Sequence, residues 1–172
     1  GVFNPIFRPH AQSDVASEPV FRSDWAKNLA KQAIELRYQM LPYNYNLAYE
    51  NSQTGNPLMR PLFFDEPENE ALLTKSDGYL WGKDFLIYPI MEPKQSTKEV
   101  YFPKNSTWFD FYGHEKYEGG TTHNITVVEN HIPTFVRAGS FIPMANLVQS
   151  TQNYNENYMN FHYFLDSNVT KR

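Results

Sequence analysis

The chain has 172 residues and a mass of 20.1 kDa, about one domain's worth, which excludes a complete (β/α)8 barrel of roughly 250 residues. Fifteen basic against 19 acidic residues, scattered in both signs, leave a net charge of −4 and exclude a basic nucleic-acid or membrane surface. The absence of cysteine excludes disulfides, thiolate metal sites and thiol nucleophiles, and an aromatic share of 16% makes large rings the main source of core.

Residues 1–22 read as loop, punctuated by Pro5, Pro9 and Pro19 around the polar Gln12-Ser13-Asp14. Ser23 and Asp24 offer N-cap side chains to a run of good helix formers from Trp25 to Arg37. Leu29, Ala33, Leu36 and Met40 share one face of that helix, and the face needs a partner surface. Pro42 predicts a kink, with helix resuming over Tyr43–Glu50 and ending before Gly55-Asn56-Pro57.

Beyond Pro57 short apolar runs alternate with Gly, Pro and Asn at the spacing of an antiparallel β-sandwich. The expected strands are Leu58–Phe64, Tyr79–Trp81, Phe85–Met91, Lys98–Phe102, Trp108–Tyr112, Ile125–Glu129, Thr134–Arg137, Phe141–Met144 and Met159–Leu165. Gly1-Val2-Phe3-Asn4-Pro5 begins mid-pattern and Lys171-Arg172 follows directly on a strand-like run, so the chain reads as an excised piece of something longer. No signal peptide is visible near Gly1, and no apolar run approaches the roughly 20 residues of a membrane span.

Chemistry is sparse. His10, His114, His123, His131 and His162 follow no compact metal-ligand spacing, and neither a metal nor a cofactor is expected. The acidic run Asp65-Glu66-Pro67-Glu68-Asn69-Glu70 reads as a solvated loop with unperturbed carboxylates. Gly119-Gly120 is a turn. Sequons at Asn105, Asn124 and Asn168 are expected to be unused, and most aromatic residues to be structural.

Six segments, taken in order, resemble glycoside hydrolase family 31, the α-glucosidase and α-xylosidase family. They are Phe3-Asn4-Pro5-Ile6-Phe7-Arg8-Pro9-His10, Leu36-Arg37-Tyr38-Gln39-Met40-Leu41-Pro42-Tyr43, Pro57-Leu58-Met59-Arg60-Pro61-Leu62-Phe63, Gly82-Lys83-Asp84-Phe85-Leu86-Ile87-Tyr88-Pro89-Ile90, Glu99-Val100-Tyr101-Phe102-Pro103 and Ile132-Pro133-Thr134-Phe135-Val136-Arg137-Ala138-Gly139-Ser140-Phe141-Ile142-Pro143. The resemblance implies an α/β plus all-β chain, in which residues 1–56 are the loop and last helix of a (β/α)8 barrel and residues 57–172 a proximal β-sandwich domain truncated at its C-terminal end. It implies a retaining mechanism with one aspartate as nucleophile and another as acid/base. Both belong to upstream barrel strands, so no carboxylate here takes either role, and the isolated 172 residues are expected to be inactive.

The resemblance makes His10 the substrate-binding residue, bonding the sugar in the −1 subsite. Pro9 stands where the family more often has Asn, which puts the identity of the sugar in doubt, and Arg8 reads as an ion-pair or backbone donor rather than a ligand. Arg37, Arg60 and Arg137, each inside an apolar motif, are expected to tie the helix to the sandwich. The implied parent hydrolyses terminal α-linked glucose of oligosaccharides; a 4-α-glucosyltransferase or an α-xylosidase is the alternative within the family. From another class, a carbohydrate-binding β-sandwich module without chemistry is the competing reading. The first needs an exposed apolar scar on the helix and the second an exposed aromatic platform on the sandwich. The implied partners are an oligosaccharide and the missing upstream part of the same polypeptide, without nucleic acid or membrane, and an extracytoplasmic location, periplasmic or secreted, is favoured.

Overall fold

The computed structural model describes residues 1–8, 10–14 and 18–166. Helix α1 covers Asp24–Gln39, starting where the Ser23 hydroxyl accepts the Ala26 N–H at 3.4 Å. Met40 then leaves helical geometry, and α2 covers Leu41–Thr54 with Pro42 in its first turn. Pro42 therefore starts a second helix instead of kinking one, because the first turn is where its missing N–H costs nothing. Gly55 closes α2 in the left-handed conformation, at φ 76, donating to Asn51 O.

Ten strands follow among the described residues: β1 Met59–Arg60, β2 Tyr79–Trp81, β3 Phe85–Ile87, β4 Thr97–Phe102, β5 Thr107–Asp110, β6 Lys116–Glu118, β7 Thr121–Thr126, β8 Thr134–Arg137, β9 Phe141–Ala145 and β10 Met159–Tyr163. All pairings are antiparallel: a central sheet in the order β1-β2-β3-β8-β5-β6, a β4–β7 pair and a β9–β10 pair. The central sheet is covered on both faces. Leu80, Leu86, Trp108 and Phe135 meet Val100 and Phe102 of β4, while Trp81, Phe85, Ile87 and Val136 meet Tyr43 and Leu47 of α2 and Ile142 and Met144 of β9. Both β3 and β8 are buried at every position, which is why they read in sequence as continuous apolar runs.

Several strands differ from expectation. Pro61 cuts the Leu58–Phe64 run to two strand residues and a 3-10 turn at Leu62–Phe64. β5 stops at Asp110, whose side chain accepts the Tyr112 and Gly113 N–H groups and turns the chain. The polar, exposed β6 escaped apolar patterning, and β7 lies N-terminal to the expected Ile125–Glu129 for the same reason. Asn105 occupies the β4–β5 turn at φ 60 and Asn124 is exposed on β7; Asn168 and Pro9 lie outside the described residues.

The acidic run is a solvated loop at Glu68 and Glu70 but not at Glu66. Glu66 is buried and accepts from Lys104 N at 2.6 Å, the Tyr101 hydroxyl at 2.8 Å and Asn69 Nδ2 at 2.9 Å. Burial pushes its carboxyl up, but the Lys104 backbone N–H, Asn69, Tyr101 and the Lys104 charge outweigh that and hold it below the ordinary range. Neighbouring Asp65 pairs with Arg137, which also donates to Lys83 O at 2.8 Å and Ser106 Oγ at 2.6 Å and lies 4.3 Å over the Trp108 ring. Arg137 thus ties the sandwich to itself, not to the helix. Arg60 does bridge the two, donating to Glu50 Oε1 at 2.9 Å and to Pro57 O at 2.8 Å.

α2 meets the sheet through a buried polar joint. The Tyr43 hydroxyl donates to Trp81 O at 2.9 Å and lies 3.3 Å from Asp84 Oδ2, Ser140 Oγ donates to Asp84 Oδ1 at 2.7 Å, and Trp81 Nε1 donates to Asn44 Oδ1 at 2.9 Å. Burial, then the Asp84 charge, push the Tyr43 hydroxyl well above its usual value, so it remains a neutral donor. Gly82 permits the approach: at φ 65, an added Cβ would stand 2.5 Å from Leu47 Cδ2 and 2.6 Å from the Tyr43 hydroxyl.

Two outcomes follow for stability. Gly82→Ala loses about 2–4 kcal/mol, adding left-handed strain to overpacking, as read by urea unfolding of the variant and the wild type. Glu66→Gln loses about 1–3 kcal/mol at pH 7, where the charged carboxylate holds its donors. Because its folded-state value lies below the unfolded reference of 4.5, that stabilisation is full above the reference and fades as pH falls through the folded value, so unfolding curves of variant and wild type converge in acid.

Candidate functional site

The one residue that sequence reasoning nominates for substrate, His10, sits at the end of a segment with no regular secondary structure. Such backbone must find partners for its carbonyls outside helix and sheet. Residues 1–5 find them on two side chains. Arg37, in the last turns of α1, donates from Nη1 to Gly1 O and Val2 O at 2.9 Å each and to Asn4 O at 2.7 Å, and from Nη2 to Pro5 O at 3.2 Å. The Tyr79 hydroxyl, on β2, donates to Phe3 O at 2.8 Å. Between these bonds Val2 and Phe3 are buried, with the Phe3 ring 6.1 Å from Phe85. Arg37 therefore holds the loop to the helix, and does not reach across to the sandwich as expected.

Past Pro5 the segment leaves the core. Ile6 is 83% exposed, and Phe7 lies under the Arg37 guanidinium at 5.6 Å. His10 is exposed, and Arg8 Nη2 donates to its Nδ1 at 3.0 Å. A guanidinium has donors only, so in this bond Nδ1 accepts and the ring N–H lies on Nε2. The side chain available to a ligand is thus an N–H donor. Arg8, expected as an ion-pair or backbone donor, donates here to the imidazole.

The other histidines are dispersed. His123 packs edge-on to Phe102 and Tyr117, His131 stacks on Tyr112 at 3.8 Å, His114 occupies a turn at φ 65 and His162 is exposed on β10. Among the described residues no group of three or more His, Cys, Asp or Glu is arranged to hold a metal ion. The buried carboxylates are engaged in structure: Glu66 and Asp84 as above, and Asp166 with Lys116 at 3.3 Å.

Two apolar surfaces remain open. No residue of α1 is fully buried; Trp25 and Ile34 are exposed along it, and Val20 and Phe21 in the 3-10 turn before it. Of the predicted apolar face only Met40 is buried, while Leu29, Ala33 and Leu36 are half-buried. On the second surface the β9–β10 register places Phe141, Pro143, Met159, Phe161 and Tyr163 on one side, with Phe141 and Phe161 stacked at 5.0 Å and both more than half exposed. Sequence reasoning missed this surface and the part of Tyr79; a tyrosine in a strand carries no mark of the carbonyl it will hold.

Comparison with known proteins places these elements. The family model for the glycosyl hydrolases family 31 TIM-barrel domain matches residues 1–47, and that for the glycosyl hydrolase family 31 C-terminal domain matches residues 55–142. A probable glucan 1,3-alpha-glucosidase of Oryza sativa subsp. japonica is 36% identical over 161 residues, covering 92% of this chain and 18% of its own length. Alpha-glucosidase 2 of Bacillus thermoamyloliquefaciens is 38% identical over 153 residues, covering 88% of this chain and 19% of its own. The structure of a GH31 dextranase of Flavobacterium johnsoniae complexed with glucose superposes with a TM-score of 0.86 at 34% identity, over 96% of this chain and 20% of that one. The chain therefore spans about a fifth of the length of these relatives. With more than half of it matched by the C-terminal domain and its start by the barrel domain, the chain belongs to glycosyl hydrolase family 31 and joins the end of the barrel to an antiparallel β-sandwich.

Proposed function

We propose that the whole protein is a retaining glycoside hydrolase acting on terminal α-linked glucose of oligosaccharides, and that His10 is the residue of this chain that touches the sugar. The observation that carries the reading is the Arg8 bond to Nδ1, which leaves Nε2–H of the imidazole to donate to a sugar hydroxyl at the end of an anchored loop. That loop is part of the segment matched to the barrel domain, and substrate groups in such barrels come from the loops after the strands.

In this scheme two aspartates outside these residues do the covalent work. One attacks the anomeric carbon as the other protonates the departing oxygen; then that second carboxylate takes a proton from water as the water displaces the first. Interception by a sugar hydroxyl instead of water makes the same enzyme a 4-α-glucosyltransferase, and a pentose in the subsite makes it an α-xylosidase. Residues 1–56 form the barrel's last loop and helices, and residues 57–172 the proximal sandwich. The rest of the barrel packs on the exposed apolar side of α1, which supports this reading over a free-standing module.

The Phe141–Phe161 stack favours a second reading, a saccharide-binding module without chemistry. It is selected by a full-length protein that turns over no α-glucoside yet is retarded in a glucan-containing gel, with the retardation lost in Phe161→Ser. For the enzyme, His10→Ala in the full-length protein lowers kcat/KM on an aryl α-glucoside by about 1–3 kcal/mol of transition-state binding, the scale of a lost hydrogen bond. An unchanged kcat/KM removes His10 from the substrate site.

A further inference from the structure

We infer that Arg37 is a positioning residue for the proposed reaction, acting through the loop that carries His10; the inference rests on the proposed role of that imidazole. Four of the five carbonyls of residues 1–5 accept from this one guanidinium, and the fifth, Phe3 O, from Tyr79. No carbonyl of this stretch is held by helix or sheet. The segment's path is therefore set by the fork geometry of Arg37, and by Phe7 lying against the same cation three residues before His10.

Lysine cannot repeat this. Its ammonium is a point charge without fixed direction, whereas Arg37 shares the two N–H groups of Nη1 among Gly1 O, Val2 O and Asn4 O and reaches Pro5 O from Nη2, all from one rigid plane. Arg37 also lies in the helix whose residues flank the loop, while Tyr79 belongs to the central sheet, so the loop is fixed to both elements at once. Arg8 then orients the ring itself, at 3.0 Å from Nδ1. The chain of support runs from α1 through Arg37 to the backbone of residues 1–5, and from there to the imidazole.

The test uses the full-length protein, with Arg37→Lys, His10→Ala and the double variant assayed on an aryl α-glucoside, alongside amide hydrogen exchange. In Arg37→Lys, exchange at the buried Val2 and Phe3 rises at least about tenfold while the strands of the central sheet keep their protection. kcat/KM falls at least about tenfold, and in the His10→Ala background the same substitution costs less than about twofold, because there is no imidazole left to position. Tyr79→Phe, which removes only the bond to Phe3 O, gives a smaller rise at the same amides and serves where Arg37→Lys folds poorly. Unchanged exchange in the loop, or losses that multiply in the double variant, overturn the positioning role alone. A His10→Ala variant with wild-type turnover overturns the proposed role of the imidazole, and the positioning role with it, even where the loop amides respond.

Discussion

The middle strands of the central sheet, β3 and β8, have no face for water, and the layers around them are arranged to keep them covered. Leu80, Leu86 and Phe135 point to the β4–β7 pair, while Trp81, Phe85 and Val136 point to α2 and β9. Each apolar face left open would forfeit about 25 cal/mol per Å² of buried surface, so the sheet cannot stand without both layers. The helical layer is thus a structural requirement of the sandwich, and not an appendage to it. Its contact is made specific by the buried hydrogen bonds of the Tyr43–Trp81–Asp84–Ser140 joint.

Much of this was legible in the sequence, and the failures share a cause. Helix α1, its serine cap and the Gly55 stop follow from local chemistry, and so do the strands whose apolar runs are buried on both sides, such as Thr134–Arg137. Exposed strands β6 and β7 carry lysine, threonine and histidine, and owe their strand conformation to neighbours that pattern alone does not reveal. Glu66 looked like a solvated carboxylate because its donors, Tyr101 and Lys104, lie more than 30 positions away. The candidate site was legible as a residue, His10, through its resemblance; its ring tautomer and the carbonyl anchors depend on distances that only the fold supplies.

The three arginines expected to do one job do three. Arg60 joins β1 to the end of α2, Arg137 closes the sandwich on itself against Trp108, and Arg37 organises irregular backbone. A planar fork with five donors suits each task, and the sequence context, an arginine inside an apolar motif, is similar in all of them. What separates them is which acceptors the topology leaves without a ladder partner.

The loop's double attachment also has a metrological side. A segment pinned to a single element would move with that element and report nothing else, whereas residues 1–5 are pinned to α1 through Arg37 and to β2 through Tyr79. Their position is therefore a reading of the distance between α1 and β2. The sandwich serves as the reference plane from which the loop's placement is gauged, and the tightness of its core sets the tolerance of that placement.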